Sequence, residues 1–299
     1  MSTYFPTAEN YFVGGGLSDI GLLQAGVRIT QSLDIDPEAT AVLHMNPHYH
    51  SHAIRTEDIT KKLVFDSEGS PDMMGFTYPC TQYSTIADIH GTRTGDELYL
   101  HALRHFALRR PKFFWAENVP GMKKFKLVME AMTRMPDYYV TVFCPVSATC
   151  WLPQQRNRLI IIGTLKPFFI TPPTPITNRP RIKDLLEMNP SYEMPDYVIN
   201  RINGKYRDKP IVVDPEIPGV VAPCCVAHYA KDLGTRLVKD KNAKHGMRPF
   251  SIREYARLQG VPDDYKFPEK RSSYKIIGNG VPVPLARWIG QQAIRYFNS

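Results

Sequence analysis

Cysteine is scarce in this chain, with five among 299 residues. An odd, sparse count argues against a disulfide framework and for a reducing compartment. No CxxC pair is present to suggest structural zinc, and no metal is expected. No apolar run approaches the roughly 18–20 residues of a membrane span. The opening Met1-Ser2-Thr3-Tyr4-Phe5-Pro6 lacks the basic stretch and apolar core of a secretory signal, so a cytoplasmic setting is expected. Internal repeats and low-complexity tracts are also missing.

What is present is an ordinary globular composition. Hydrophobic residues make up 43%, enough for a sizeable core in one large or two smaller domains. Lysine and arginine exceed the acids 37 to 29, a net charge of +8. That excess is compatible with a polyanionic partner, and equally with a solvated cationic face.

Taken in order, residues 10–26 run from a short apolar strand into Gly14-Gly15-Gly16 and then a helix carrying Ile20, Leu22 and Leu23. Glycines at a strand-to-helix turn let backbone approach a ligand. No Gly-Lys-Ser/Thr follows, which excludes a Walker-type phosphate loop. A second strand, Arg28 to Leu33, ends in Asp34-Ile35-Asp36. Two readings fit Asp34: an acid that holds a ribose, or a helix cap ahead of Pro37. Residues 55–60 close a third unit. Met73 to Phe76 forms a fourth strand and leads to Pro79-Cys80, a thiol at a strand's carboxyl edge. Residues 96–110 are helical by spacing, through Leu98, Ala102, Leu103 and Phe106. Phe113 to Ala116 is a buried strand ending in Glu117-Asn118-Val119. Further strands are expected at 138–144 and 159–163, the latter preceded by Gln154-Gln155-Arg156-Asn157-Arg158. This alternation predicts an α/β fold with a doubly wound, mostly parallel sheet.

Composition shifts afterwards. Residues 167–223 hold eleven of the 26 prolines, which disfavours long helices and central strands. Asn203-Gly204 reads as a hairpin turn. Residues 165–247 are therefore expected to form a small irregular domain. Helices return at 252–259 and 285–297, separated by Gly278-Asn279-Gly280-Val281-Pro282.

Together, in this order, the motifs resemble those of the cytosine-C5 DNA methyltransferases from residue 11 to about 293. Phe12-x-Gly14-x-Gly16, Pro79-Cys80, Glu117-Asn118-Val119, Gln154-x-Arg156-x-Arg158, the run from Arg248 to Gly260, and Gly278 to Pro282 carry the likeness. The resemblance implies a Rossmann-like S-adenosylmethionine-dependent fold. Residues 1–164 and 248–299 would be the catalytic and cofactor-binding domain, with 165–247 for target recognition. Cys80 would be the nucleophile that adds to cytosine C6, with Glu117 acting at N3 and Arg156 and Arg158 beside the flipped nucleotide. Cofactor contacts would come from Phe12, Gly14, Gly16, Asp34, Ile35, Asp58, Ile59, Pro79, Leu98 and Asn279. DNA contacts would come from Ser84, Arg156, Arg236, Lys239, Lys241 and Lys244. The implied partner is double-stranded DNA, met as a monomer without a membrane or a metal, in a bacterial, archaeal or viral setting. Two departures stand out: Thr81 follows Cys80 where the family has Gln, and Leu17 replaces the second glycine of the family's Gly-Gly pair. A tRNA methyltransferase would carry a Cys-Phe-Thr element, absent from 165–247, and a silent homologue would lack Cys80 or Glu117. An unrelated NAD-binding oxidoreductase leaves Glu117 and the 154–158 motif unexplained.

Overall fold

The computed structural model describes residues 3–66, 69–79, 98–188, 190, 194–205 and 210–299. It divides into two compact units. The first comprises residues 1–147, 157–173 and 283–299, and the second 148–156 and 174–282.

The first unit is a seven-stranded sheet with helices on both faces. In chain order it contains β1 (Thr7–Tyr11), α1 (Leu17–Gln24), β2 (Arg28–Asp34), α2 (Pro37–His44), β3 (Ala53–Thr56) and β4 (Met73–Phe76). Then come α3 (Leu98–Arg109), β5 (Phe113–Asn118), α4 (Lys126–Thr133) and β6 (Tyr139–Ser147). The two-residue strand β7 (Gln154–Gln155) belongs to the second unit, and β8 (Asn157–Thr164) returns to the first. The strand order is β3-β2-β1-β4-β5-β8-β6, parallel except for β8, which runs against both neighbours. The order reverses direction between β1 and β4, so their carboxyl ends open the crevice where such sheets bind ligands.

Continuous apolar runs make the central strands. All six residues of β5 are buried, as are Leu159 to Thr164 of β8, the pattern of strands covered on both faces. On one face, Ala102 and Phe106 of α3 and Val128 and Met132 of α4 pack with Met74, Phe76, Phe114 and Ala116. On the other, α1 lies against the carboxyl-terminal helix, Val283–Phe297. β6 runs past the expected residue 144 to Ser147, with a register shift between Phe143 and Val146 where Pro145 cannot donate to the ladder.

The second unit holds α5 (Ile182–Leu185), α6 (Asp196–Asn203), α7 (Ile252–Leu258) and α8 (Ser272–Asn279), plus short strands. Of these, β9 (Ile211–Val213), β11 (Arg236–Lys239) and β12 (Met247–Pro249) form one sheet, and β10 (Ala222–Pro223) pairs with β7. The expected hairpin at Asn203-Gly204 is instead the end of α6, with Gly204 as its cap. Glycine after a last helical asparagine is also a helix-stop signal, and here that role prevails. The compact units also fall differently from the division expected at 164 and 248. Residues 248–282 pack with 174–247, because buried polar groups of 154–156 and 225 reach the backbone of α7 and α8.

Gly21 lets α1 and the carboxyl-terminal helix meet at backbone distance. A Cβ there would stand 2.7 Å from Ala286 Cβ and from Arg287 N, and would also strike the carbonyl of Val283. Gly21→Ala gains about 1 kcal/mol of helix propensity but forces overpacking against backbone, at about 1–3 kcal/mol. The expected outcome is a net loss, read as a thermal midpoint lowered by a few degrees; an unchanged or raised midpoint contradicts the packing.

Candidate active site

The glycine turn after β1 is built from residues with unusual backbone. Phe12, Gly14 and Gly16 all have positive φ, of 60°, 54° and 74°. Nothing lies within 4 Å of where a Gly14 Cβ would stand, so the loop borders open space. Gly16 starts α1 in a left-handed conformation with no side-chain cap. Asp34 ends β2, and its Oδ2 accepts from Gly14 N at 2.7 Å while Oδ1 accepts from Asp36 N at 2.9 Å. Burial raises the Asp34 carboxyl above its ordinary value, against the lowering effect of those N–H groups. The capping alternative for Asp34 is excluded, since Asp36 caps α2 by accepting from Glu38 N. Ile35 is 61% exposed, an apolar platform beside the acid. Asp58 accepts from both the N–H and the hydroxyl of Thr60, which hold its carboxyl below the usual range, and Ile59 is buried in the core behind it. An open glycine loop, a strand-end acid and an exposed apolar side chain fit the nucleoside end of S-adenosylmethionine. Leu98 begins α3, half-buried against the same core.

Beyond the glycine loop, the carboxyl ends of β1, β4 and β5 are tied together by side chains. Thr77 Oγ1 donates to Phe12 O at 2.6 Å, and Asn118 Nδ2 donates to Tyr78 O at 3.1 Å. Asn118 belongs to the Glu117-Asn118-Val119 motif read from the sequence, but neither its bond nor that of Thr77 was legible there, because a bond to another strand's backbone leaves no mark in local spacing. Pro79 is exposed at this edge. Cys80 and Ser84 lie outside the described residues. Glu117 is nearly buried at the end of β5, and its Oε1 pairs with Arg158 Nε at 2.6 Å. The two side chains meet because β8 runs antiparallel to β5, setting Asn118 opposite Leu159 and Arg158 just beyond.

Sequence spacing joined Gln154, Arg156 and Arg158 as one motif, but the fold divides it between the two units. Arg156 is 2% exposed within the second unit. Its Nη1 donates to Cys225 O at 2.6 Å and Gly278 O at 3.1 Å, and its Nη2 to Gly280 O at 2.7 Å. Gln154 Nε2 donates to Leu258 O, and its Oε1 accepts from Cys225 N. Arg156 is thus an internal clamp rather than an exposed cationic donor. Asn279 is exposed between the two glycines whose carbonyls Arg156 holds. Of the expected DNA contacts, Lys241 and Lys244 are exposed, and Lys239 is occupied by an ion pair to Asp214 at 2.8 Å. Arg236 is half-buried, with Nη1 donating to Thr235 Oγ1. Lys244 also lines a cavity of about 500 Å³ with Asp240, Asn242, His245 and Arg248.

The strand order and glycine turn define an α/β fold of the Rossmann-like methyltransferase class. Among solved structures, an Entamoeba histolytica methyltransferase superposes with TM-score 0.81 at 16% identity, covering 99% of this chain and all of its own. The S. pombe Dnmt2 methyltransferase gives 0.76 at 17% identity, covering 99% of this chain and 100% of its own. Residues 8–295 match the family described as C-5 cytosine-specific DNA methylase. The chain belongs to that family, whose reaction is DNA cytosine-5 methylation. Its relatives include type II methyltransferase M.Sau96I of Staphylococcus aureus, 26% identical over 96% of this chain and 75% of the relative. Another is M.MthTI of Methanothermobacter thermautotrophicus, 27% identical over 95% of each. No helix among the described residues is long and apolar enough to cross a membrane.

The two arginines predict opposite phenotypes. Arg156→Met strands three buried carbonyls and is expected to cost about 3 kcal/mol, seen as a lowered midpoint and faster proteolysis of the second unit. Arg158→Lys keeps a cation beside the nearly buried Glu117 carboxylate but loses the Nε geometry, and is expected to leave stability within about 1 kcal/mol and to lower turnover at least tenfold. Equal stability losses in the two variants would contradict this division.

Proposed function

We propose that the chain methylates carbon 5 of a flipped cytosine in duplex DNA through a Cys80 covalent intermediate. The supporting observation is the β5 end, where Glu117 is held by Arg158 and the adjacent Asn118 is bonded to Tyr78 O, two residues before Cys80. Cytosine C5 is a weak nucleophile. Addition of the Cys80 thiolate to C6 pushes electron density onto C5, and a proton or hydrogen bond from Glu117 at N3 stabilises the resulting enamine. Arg158 fixes the Glu117 carboxyl, a positioning role that keeps it aimed while its charge changes. S-adenosylmethionine, when bound, supplies the electrophilic methyl group and leaves as S-adenosylhomocysteine. After C5 has taken the methyl, a base removes the C5 proton, and Cys80 departs to restore the aromatic ring.

Phe12, Gly14, Gly16, Asp34, Ile35, Asp58, Ile59, Pro79, Leu98 and Asn279 hold the cofactor in this reading, Asp34 through the ribose and Ile35 against the adenine. The target atom is out of reach inside a duplex, so the base is extruded into the site. Residues 165–247 read the DNA, with Lys241, Lys244 and Arg236 on phosphates. Lys239 joins them only by releasing Asp214. The chain acts as a monomer in the cytoplasm.

Tritium transfer from labelled S-adenosylmethionine, offered in parallel to unmethylated duplex DNA and bulk tRNA, tests this directly. Label at C5 of DNA cytosine is expected, with at least a 1,000-fold loss in Cys80→Ala. Label on tRNA alone, or undiminished label in the variant, would overturn it.

A further inference from the structure

Behind the glycine loop, on the face of the sheet that α1 covers, lies a polar cluster that the methylation chemistry does not use. Asp19 of α1 is fully buried, and among the described residues no lysine or arginine forms an ion pair with it. Its Oδ1 accepts from Asn10 Nδ2 at 2.7 Å, and its Oδ2 from the Ser32 hydroxyl at 2.6 Å. Two histidines from the segment between α2 and β3 complete the group. His50 Nδ1 stands 3.8 Å from Asp19 Oδ2, and His52 Nε2 stands 4.0 Å from it. The side chains of both histidines are almost wholly enclosed, at 0% and 6% exposed.

These three donor atoms lie within 4.8 Å of one another, the sole such trio among the described residues. All three donor groups are sealed from solvent in this cluster. A carboxylate removed from water and faced only by neutral groups is costly unless a cation answers it. We propose that Asp19, His50 and His52 hold a divalent transition-metal ion of the zinc class, as a structural site.

The donor set decides the class. Two imidazoles and one carboxylate suit zinc, cobalt, nickel or copper, whereas calcium and magnesium call for all-oxygen shells. Zinc–nitrogen and zinc–oxygen bonds of about 2.0–2.2 Å set tetrahedral donors about 3.3–3.6 Å apart, so the carboxylate–imidazole pairs, at 3.8 and 4.0 Å, close by a few tenths of an ångström on binding. Asn10 already orients the far carboxylate oxygen, the outer-shell support such ligands receive. Ser32 Oγ now bridges the two ligands, 2.6 Å from Asp19 Oδ2 and 2.7 Å from His52 Nε2, and gives up these bonds when the ion enters. The ion would pin the 45–52 segment to α1, whose first turn borders the cofactor loop, and it takes no part in methyl transfer.

The test uses the full chain, stripped with chelator and titrated with Co²⁺ as a spectroscopic probe. One equivalent is expected, with visible bands of four- or five-coordinate cobalt that Zn²⁺ abolishes. Zn²⁺ at about 100 times its Kd is expected to raise the thermal midpoint by about 5 °C or more. His52→Gln retains a hydrogen-bonding group toward Ser32 and is expected to keep the fold, with metal affinity lowered at least tenfold. His50→Gln serves equally if that variant does not fold. Absence of stoichiometric uptake overturns the site. Uptake unchanged in the folded variant also overturns it, by placing the ion on other cysteines or histidines. In either case the cluster is a hydrogen-bonded core network only.

Discussion

The bond from Asn118 Nδ2 to Tyr78 O is the constraint on which the catalytic edge depends. Parallel strands fix their neighbours' register only while the ladder lasts, and β4 and β5 are both short. Chemistry at the ends of such strands requires the outgoing segments to be held where ladder bonds have ceased. Asn118 does this for the segment leading to Cys80, and Thr77 does it for the loop of Phe12 through its bond to the Phe12 carbonyl. The glycine turn, residues 77–79 and the Glu117 carboxylate are thereby gathered at one edge of the sheet. Each bond is a local side-chain-to-backbone contact worth about 1 kcal/mol, but its placement controls geometry far more than stability.

Electrostatics follows the same economy. Glu117 is given one cationic neighbour, Arg158, close enough to orient it and shielded enough for the pairing to matter. Arg156, two residues earlier, has the opposite fate. Its guanidinium is spent on backbone carbonyls, which lets a chain with little regular structure in its second unit enclose Gly278 and Gly280. Identical residue types two positions apart therefore serve as the ion-pair partner of Glu117 and as an internal strut.

Much of the first unit could be read in the sequence because its strands are continuous apolar runs. Phe113 to Ala116 and Leu159 to Gly163 have no plausible fate but a sheet buried on both faces. The carboxyl-terminal helix was legible by its spacing, beginning two residues earlier than expected. The second unit resisted for physical reasons. Prolines erase periodicity, and Asn203-Gly204 is as good a helix stop as a hairpin turn, so only the preceding turns of α6 decide between them. Asp34 could not be told from a helix cap until Asp36 was seen capping α2. The Asp19, His50 and His52 group was not legible because Asp19 lies about thirty residues before the histidines, and a His-x-His pair alone does not mark a metal site.

The discontinuity of the first unit carries a consequence for synthesis. The apolar flank of α1 around Gly21 has its partner in the helix at 283–297. At about 5–20 residues per second, a ribosome needs on the order of tens of seconds to make the intervening chain. For that interval the flank of α1 around Gly21 lacks the helix that covers it in the finished fold. Gly21 therefore stands at a contact that can close only after residues 283–297 have been made.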